Sequence, residues 1–557
     1  MSGAKRRLNS WKEIATYLQS GVRTARRWES QEGLPVRRHL HGKRGTVYAF
    51  AHEIDAWLEA RSVSKGAKHA PELFEKLATE QIRHRSYDRP LLIAILPLRT
   101  LSSDPHQERF ADGLTQELIL ETGHCCPDRL RVIALTSVMQ YKNSTKSIRK
   151  IGHELGVDYI LEGFIRRYGL RLRLTARLIA ARDQAHIWAD SYEIQLPSIF
   201  TLQQALARKV ADSLAIQLRA KSIKGRMRSR TVPDLAAHSA YLEGNSHFMP
   251  ADGEIKKSIE DLNLAIDRDP KFAPSYAQLA LTYFRRLFLD YPPIVTLRRI
   301  QDLASKALKL DPKLARARSM LAAFQLFGAW NWANAEANIR QAIRLNPSDA
   351  WAWVVRASYR LILQELPEAV EDLRRAHQLN PKCPEQGIWF ATLAYLARHY
   401  DFAVKLCQEV LELDPSMIPA HAVLGLCYAQ TGEHALALKH CEKVRKFGDG
   451  TILETTQVCS IYALAGEQES ADRLLERLTA LKEKQYARYI FLAHASVCLR
   501  KNQQTMDWLE KAYEQRDPLL VFLKAEPRFD RLSQISRFRS LVRLVGLPAD
   551  SEIRKAV

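Results

Sequence analysis

An acidic or amide residue followed by proline recurs through the second half of this chain, at Asp269-Pro270, Asp311-Pro312, Asn346-Pro347, Asn380-Pro381 and Asp414-Pro415. The successive intervals are 42, 35, 34 and 34 residues. Proline has no amide hydrogen and disfavours helical geometry in the residue before it, so each pair ends a helix. The interval leaves room for two helices per repeat, and such units bury their apolar faces only by stacking on their neighbours. The clearest unit carries Leu424, Gly425, Tyr428, Gly432 and Ala437 as large, small, aromatic, turn and small positions, and the next keeps Tyr462, Gly466 and Ala471.

This spacing and these residues resemble the tetratricopeptide repeat. About eight such repeats fit between 233 and 518, with extra residues around Tyr291-Pro-Pro293 absorbing the 42-residue interval. Residues 519–557, including Phe522 to Phe529, read as the terminal cap that a solenoid requires. Superhelices of this kind bind peptides, dimerise or only scaffold, so the period speaks to fold and little to function.

The amino terminus carries a different signal. Trp11, Ile14, Ala15 and Leu18 form one apolar stripe behind a Ser10 cap, and Gly21 breaks the helix. On the next helix, 100° per residue sets Val22, Ala25 and Trp28 on one side and Arg23, Arg26, Arg27 and Ser30 on the other. Val36–Leu40 and Thr46–Phe50 then read as two strands joined by the basic tip His41-Gly-Lys-Arg-Gly45. A third helix, Ala51 to Arg61, turns Ile54, Trp57 and Leu58 to one face. Helix, turn, basic helix, basic hairpin and helix make a winged helix-turn-helix. Residues 1–62 resemble the MerR/excisionase-like DNA-binding domain in Ser10–Ala15, Arg23-Thr-x-x-Arg-Trp-Glu29, Gly33-Leu-Pro35, the 41–45 tip and Glu53–Leu58; a Gly cap at position 21 stands where the family usually has Ser. The resemblance implies that Arg23, Thr24, Arg26 and Arg27 meet the major groove, with Arg37, Arg38, Lys43 and Arg44 on the hairpin at the backbone or adjacent minor groove.

Between these ends the period changes. Leu91–Leu96 reads as a strand buried on both faces, followed by a helix over Glu108–Thr122, a strand over Leu130–Leu135 and a helix over Ile148–Leu155 ended by Gly156. Asp158–Arg167 and Arg171–Ala180 read as a hairpin, His186–Glu193 as a further strand and Ile199–Leu218 as a closing helix. The stretch resembles the TolB amino-terminal-like domain in Phe110-Ala-Asp-Gly-Leu-Thr115, Thr136–Tyr141, Leu155–Tyr159 and Ile187–Tyr192. Asp112 before Gly113 reads as a helix cap. No nucleophile elbow, P-loop, Gly-x-Gly-x-x-Gly or His/Glu metal pair occurs here, so no catalysis, cofactor or metal is expected.

Composition sharpens the division. Of the formal charge of +21, residues 1–48 hold eleven Lys/Arg against three Asp/Glu, the local excess that attraction to a phosphate backbone requires. The longest apolar run, Leu91–Leu98, is far short of the ~20 residues of a membrane helix, and the first residues lack a secretion signal; the expected location is cytoplasmic, with no membrane partner. The eight cysteines form no C-x-x-C pair and read as small buried hydrophobes. His39 and His41 read as phosphate or solvent contacts rather than metal ligands.

The fold class expected is mainly α: a small winged helix-turn-helix (1–66), a linker (67–89), a central TolB-like α/β domain (90–225), a tetratricopeptide α-solenoid (233–518) and a cap (519–557). The function expected is a DNA-binding transcriptional regulator, not an enzyme. Its partners would be double-stranded DNA, a protein or peptide on the repeats and a second copy, since such heads usually bind two half-sites. The alternative is a cytoplasmic scaffold acting through its repeats without specific DNA binding.

Overall fold

The computed structural model describes residues 7–18, 20–32, 34–39, 46–51, 53–54, 90–100, 104–125, 127, 129–169, 171–195, 205–210, 212–213, 234–246, 253–287, 293–448, 450–484 and 488–548. It divides into two compact units, Met1–Arg89 and Pro90–Val557.

In the first unit β1 (Arg7–Leu8) precedes helices α1 (Trp11–Tyr17) and α2 (Val22–Glu32) and strands β2 (Arg37–His39) and β3 (Thr46–Phe50). Ser10 caps α1: its Oγ accepts from the Glu13 amide at 3.2 Å, and the Glu13 carboxylate accepts in return from the Asn9 amide at 3.0 Å. The Gly21 carbonyl opens α2 by accepting from the Thr24 and Ala25 amides at 2.9 and 3.0 Å. The strands are antiparallel in the order β1-β3-β2. Leu8, Ile14, Ala15, Ala25, Leu34, Ala49 and Ile54 form the core. β1 is too short to show a period, and only pairing with β3 creates it. The hairpin tip 41–45, Trp57, Leu58 and the linker 67–89 lie outside the described residues.

The second unit opens with a sheet. Its parts are β4 (Leu91–Ile95), β5 (Arg99–Thr100), α3 (Pro105–Cys125), β6 (Leu130–Val132), α4 (Leu135–Met139), α5 (Ile148–Leu155), β7 (Tyr159–Tyr168), β8 (Arg171–Ala180) and β9 (His186–Gln195). The strand order is β6-β4-β7-β8-β9, with β5 also on β7. β4 runs parallel to β6 and β7, while β7, β8 and β9 are antiparallel. The apolar run of β4 buries Ile93, Ala94 and Ile95 completely, whereas β8 alternates buried Leu172, Leu174 and Ala176 with exposed Arg171, Arg173 and Thr175. That is the difference between a strand covered on both faces and one with a wet side. Gly169, at φ +58°, turns the β7–β8 hairpin where the sequence places it.

Two expectations change here. The strand read through Leu135 ends at Val132, because the Ala134 amide leaves the sheet to bond the Leu379 carbonyl at 2.7 Å. Asp112 is no cap. It lies inside α3, buried, with Lys142 Nζ at 2.7 Å. Burial raises its pKa and the Lys142 bond opposes that rise.

Eight helix pairs follow among the described residues: α6 (Leu235–Ser246) with α7 (Gly253–Arg268), α8 (Ala273–Arg286) with α9 (Pro293–Leu310), α10 (Ala315–Phe324) with α11 (Trp332–Leu345), α12 (Ala350–Ile362) with α13 (Leu366–Leu379), α14 (Pro384–Leu396) with α15 (Tyr400–Leu413), α16 (Ile418–Gln430) with α17 (His434–Phe447), α18 (Ile452–Ala465) with α19 (Gln468–Lys484) and α20 (Tyr489–Cys498) with α21 (Asn502–Glu514). A π-helical turn, Gln325–Ala329, prolongs α10. Each Asp-Pro or Asn-Pro follows the second helix of a pair directly. The long interval comes from α9, which has 18 residues where α13 has 14, and from the longer connection before it. Cys407, Cys427, Cys441 and Cys459 are buried within these helices, and burial pushes their thiols upward.

The end of the chain forms two 3₁₀ turns, Pro518–Phe522 and Pro527–Leu532, and α22 (Ser536–Leu544). α22 lies on the last pair, where Arg537 pairs with Asp507 and Glu510 at 2.9 and 2.8 Å. The turns reach much further back. Phe522 meets Phe327 at 6.0 Å between ring centres, Glu526 accepts from the Tyr395 hydroxyl at 3.3 Å, and Arg528 donates to Ser460 at 3.3 Å. The last pair also touches the third, with Trp330 against Tyr513 and beneath Arg516, and the residues after α22 touch it as well, the Trp332 indole donating to the Gly546 carbonyl at 2.6 Å.

Candidate nucleic-acid interface

Helix α2 sets its apolar and cationic residues as 100° spacing requires. Ala25 is fully buried, Thr24 is half-buried, and Arg23, Arg26 and Arg27 are exposed. Val22, expected on the packed side, is exposed at the first position of the helix. The Arg26 guanidinium lies 5.5 Å from the centre of the Trp11 ring, which orients it against α1. Among the described residues no carboxylate pairs with Arg23, Arg26 or Arg27.

The hairpin arginines are placed differently. Arg37 binds Glu53 at 2.6 Å, and one Arg38 nitrogen binds both Glu29 oxygens at 2.7 and 2.9 Å. These exposed pairs each contribute about 0–1 kcal/mol, but they tie β2 to α2 and to the helical residues 53–54 and balance two of the expected contact charges. Lys43 and Arg44 lie outside the described residues. The structure therefore brings Arg23, Thr24, Arg26 and Arg27 together on one element and sets Arg37 and Arg38 beside it in ion pairs.

Sequence reasoning missed a second site, the seam between the sheet and the repeats. At Asp269, Asp311, Asn346 and Asp414 the side-chain oxygen accepts the backbone amide two residues on, at 2.9–3.0 Å. At Asn380 that turn is opened. Ser137 of α4 inserts its hydroxyl, donating to Asn380 Oδ1 at 2.7 Å and accepting from the Lys382 amide at 2.8 Å, and Thr136 donates to the same oxygen. Ser348, two residues past Asn346, accepts from the Val132 amide at 3.1 Å and so covers the sheet edge. The available signal was the amide: the two repeat positions with Asn in place of Asp are the two that lie against the helices beside the sheet, Asn346 near Gly123 of α3 and Asn380 on Thr136 and Ser137 of α4.

Residues 89–209 match the family model of the second domain of HilA/YgeH-like transcriptional regulators. The chain is 32% identical over 223 residues to a protein of Rhizobium meliloti (strain 1021) named "Putative adenylate cyclase 3", a match covering 39% of this chain and 37% of that relative. It is 24% identical over 208 residues to Hsp70-Hsp90 organizing protein 1 of Glycine max, covering 32% and 36% of the two chains. The chain thus spans little more than a third of either relative. The solved structure of Pseudomonas aeruginosa PilF aligns with 42% of this chain and 98% of its own at 16% identity, with a TM-score of 0.31.

The first of these relatives corrects the expectation that the chain is not an enzyme, because similarity to a protein bearing an enzyme's name points the other way. The expectation rested on missing linear motifs, and catalytic groups assemble from residues distant in sequence. Among the described residues no helix is long and apolar enough to cross a membrane. The chain therefore joins a stretch similar to a transcriptional-regulator domain, residues 89–209, to a solenoid of paired helices.

Proposed function

We infer that this chain is a DNA-binding transcriptional regulator whose residues 1–66 form a winged helix-turn-helix head. The observation that carries the reading is the exposed row Arg23, Arg26 and Arg27 on α2, without carboxylate partners among the described residues. The likeness of 89–209 to a domain of transcriptional regulators supports it. Arg23, Thr24, Arg26 and Arg27 would read the major groove, with guanidinium forks matching guanine or phosphate. Lys43 and Arg44 would hold the backbone, and Arg37 and Arg38 would stiffen the wing through Glu53 and Glu29 or exchange those partners for phosphate. A homodimer on two half-sites is the expected form. A protein or peptide partner of the repeats would meet surface left open by 518–548, which already lies against several first helices.

The full-length chain, challenged with a random duplex library and then titrated against the enriched sequence, tests this. Losing one base-reading arginine should cost ~1–3 kcal/mol and relax specificity there, and Arg23→Ala, Arg26→Ala and Arg27→Ala combined should abolish sequence preference. Affinity that does not fall with added salt, or that the triple variant retains, overturns the reading.

A second reading rests on the Rhizobium meliloti relative: a nucleotide-cyclising role for the shared stretch. Formation of cyclic AMP from ATP by the full-length chain would support it, and no product above a buffer control would remove it.

A further inference from the structure

Strands β7, β8 and β9 bury one face and leave the other to water. On the wet face the register sets Tyr168 opposite Arg171 and Arg166 opposite Arg173. All four are exposed, Tyr168 at 63%. One pair further along, Phe164 is half-buried, with the Arg99 guanidinium of β5 5.9 Å from its ring centre. Like charges directly opposite on a sheet are destabilising, and Arg171 adds a third, about 6.6 Å along the strand from Arg173 at the usual rise. Arg177 is balanced by Glu162. Glu193 faces Arg173 from β9, yet among the described residues no carboxylate comes within ion-pair distance of Arg166, Arg171 or Arg173. Arg173 Nε donates instead to the Ser191 hydroxyl at 3.2 Å, which steadies the guanidinium without neutralising it. The choice of cation is one-sided as well: between Lys150 and Lys209 the chain has seven arginines and no lysine. The planar arginine fork meets two phosphate oxygens at once and stacks on ring faces, which a lysine ammonium does not.

We propose that this sheet face binds single-stranded nucleic acid, with phosphates on Arg166, Arg171 and Arg173 and a base stacked on Tyr168. A backbone of repeating phosphates answers a row of unbalanced arginines, and an exposed ring among cations is a stacking platform that every base can use. A duplex keeps its bases stacked inside and has none to lay on Tyr168. Carboxylates of an acidic protein segment would answer the charge and leave the ring unused. The proposal does not rest on the amino-terminal head binding duplex DNA.

The full-length chain is titrated with labelled oligothymidylate and oligouridylate of about 12 nucleotides, followed by fluorescence anisotropy, with an unrelated duplex and polyglutamate as competitors. The expected result is saturable binding of at least one strand that weakens with added salt, the comparison of the two showing whether the sugar is read. Tyr168→Ala should weaken it by about tenfold, the loss of one stacked base, and Tyr168→Phe should keep it. Arg171→Ala and Arg173→Ala should each lower the slope of log affinity against log salt by about 0.7. Arg173→Ala removes the like-charge pair and should leave the thermal midpoint level or higher, so its loss of binding is not a loss of fold. Arg23→Ala, Arg26→Ala and Arg27→Ala combined should abolish duplex sequence preference and retain strand binding, so this proposal and the reading of the head fail separately. No binding, affinity that Tyr168→Ala retains, or displacement by polyglutamate as strong as by unlabelled strand overturns the proposal. So does equally strong displacement by the duplex in the triple head variant.

Discussion

Glu526 and His494 show at the residue scale how the chain's end is held. Burial alone would raise the Glu526 pKa, but Arg528, with its Nε at 2.8 Å, brings it down to about 2. Burial, reinforced by the Arg528 charge, lowers His494 to about 3. The two act in one direction. Glu526 contributes stability that is complete above its ordinary value of 4.5 and is lost as pH falls toward 2. His494 stays neutral in the fold while the unfolded chain takes up a proton below 6.5, so stability declines from 6.5 toward 3. Amide-exchange protection of 518–532 should therefore fall steadily from pH 7 to pH 4, and His494→Gln should flatten the portion above pH 4.5. Protection unchanged across that range would contradict both assignments. At this scale the cationic face of α2 was legible, because helical spacing alone sets Arg23, Arg26 and Arg27 together. The pairing of Arg37 and Arg38 was not, since Glu53 and Glu29 lie 16 and 9 residues away and reach them only through the fold.

Helix α3 carries the argument at the scale of elements. A Cβ on Gly113 would stand 2.4 Å from Leu242 Cβ and 2.9 Å from Leu242 Cα, so the glycine is what allows α3 to lie against α6. Alanine would gain about 0.5–1 kcal/mol of helix preference over glycine. The overlap involves backbone, and overpacking of this kind costs about 1–3 kcal/mol, so the clash should win. Gly113→Ala should lower the thermal midpoint of the full chain and raise amide exchange in α6; an unchanged or raised midpoint would show that the two helices part easily. The same helix explains the misreading of Asp112. An Asp-Gly pair looks like a cap when only neighbours in sequence are considered, whereas here the aspartate answers Lys142 and the glycine answers Leu242.

For the molecule as a whole, the repeats serve as a surface on which the rest of the Pro90–Val557 unit is built. Ser137→Ala tests that seam. It leaves the part-buried Lys382 amide without its acceptor and Asn380 Oδ1 without one donor, and should cost ~1–3 kcal/mol, read as an earlier unfolding transition. Asp414→Ala, in a turn closed within its own repeat, should leave the seam intact, and equal exposure of the seam in the two variants would sink the idea. The helix pairs, the 34-residue spacing, the strands at 91–95 and 159–195 and the two-sided α2 were determined by sequence alone, because each depends on a local period or on proline's missing amide hydrogen. Only the tertiary structure decided that the chain's end turns back to Phe327 and Tyr395, that the last pair meets the third, and that the sheet takes its partner from the repeat turns. Those contacts join residues more than a hundred positions apart, and what selects them is the match of shape and hydrogen-bonding groups on surfaces that exist only after the local elements have formed.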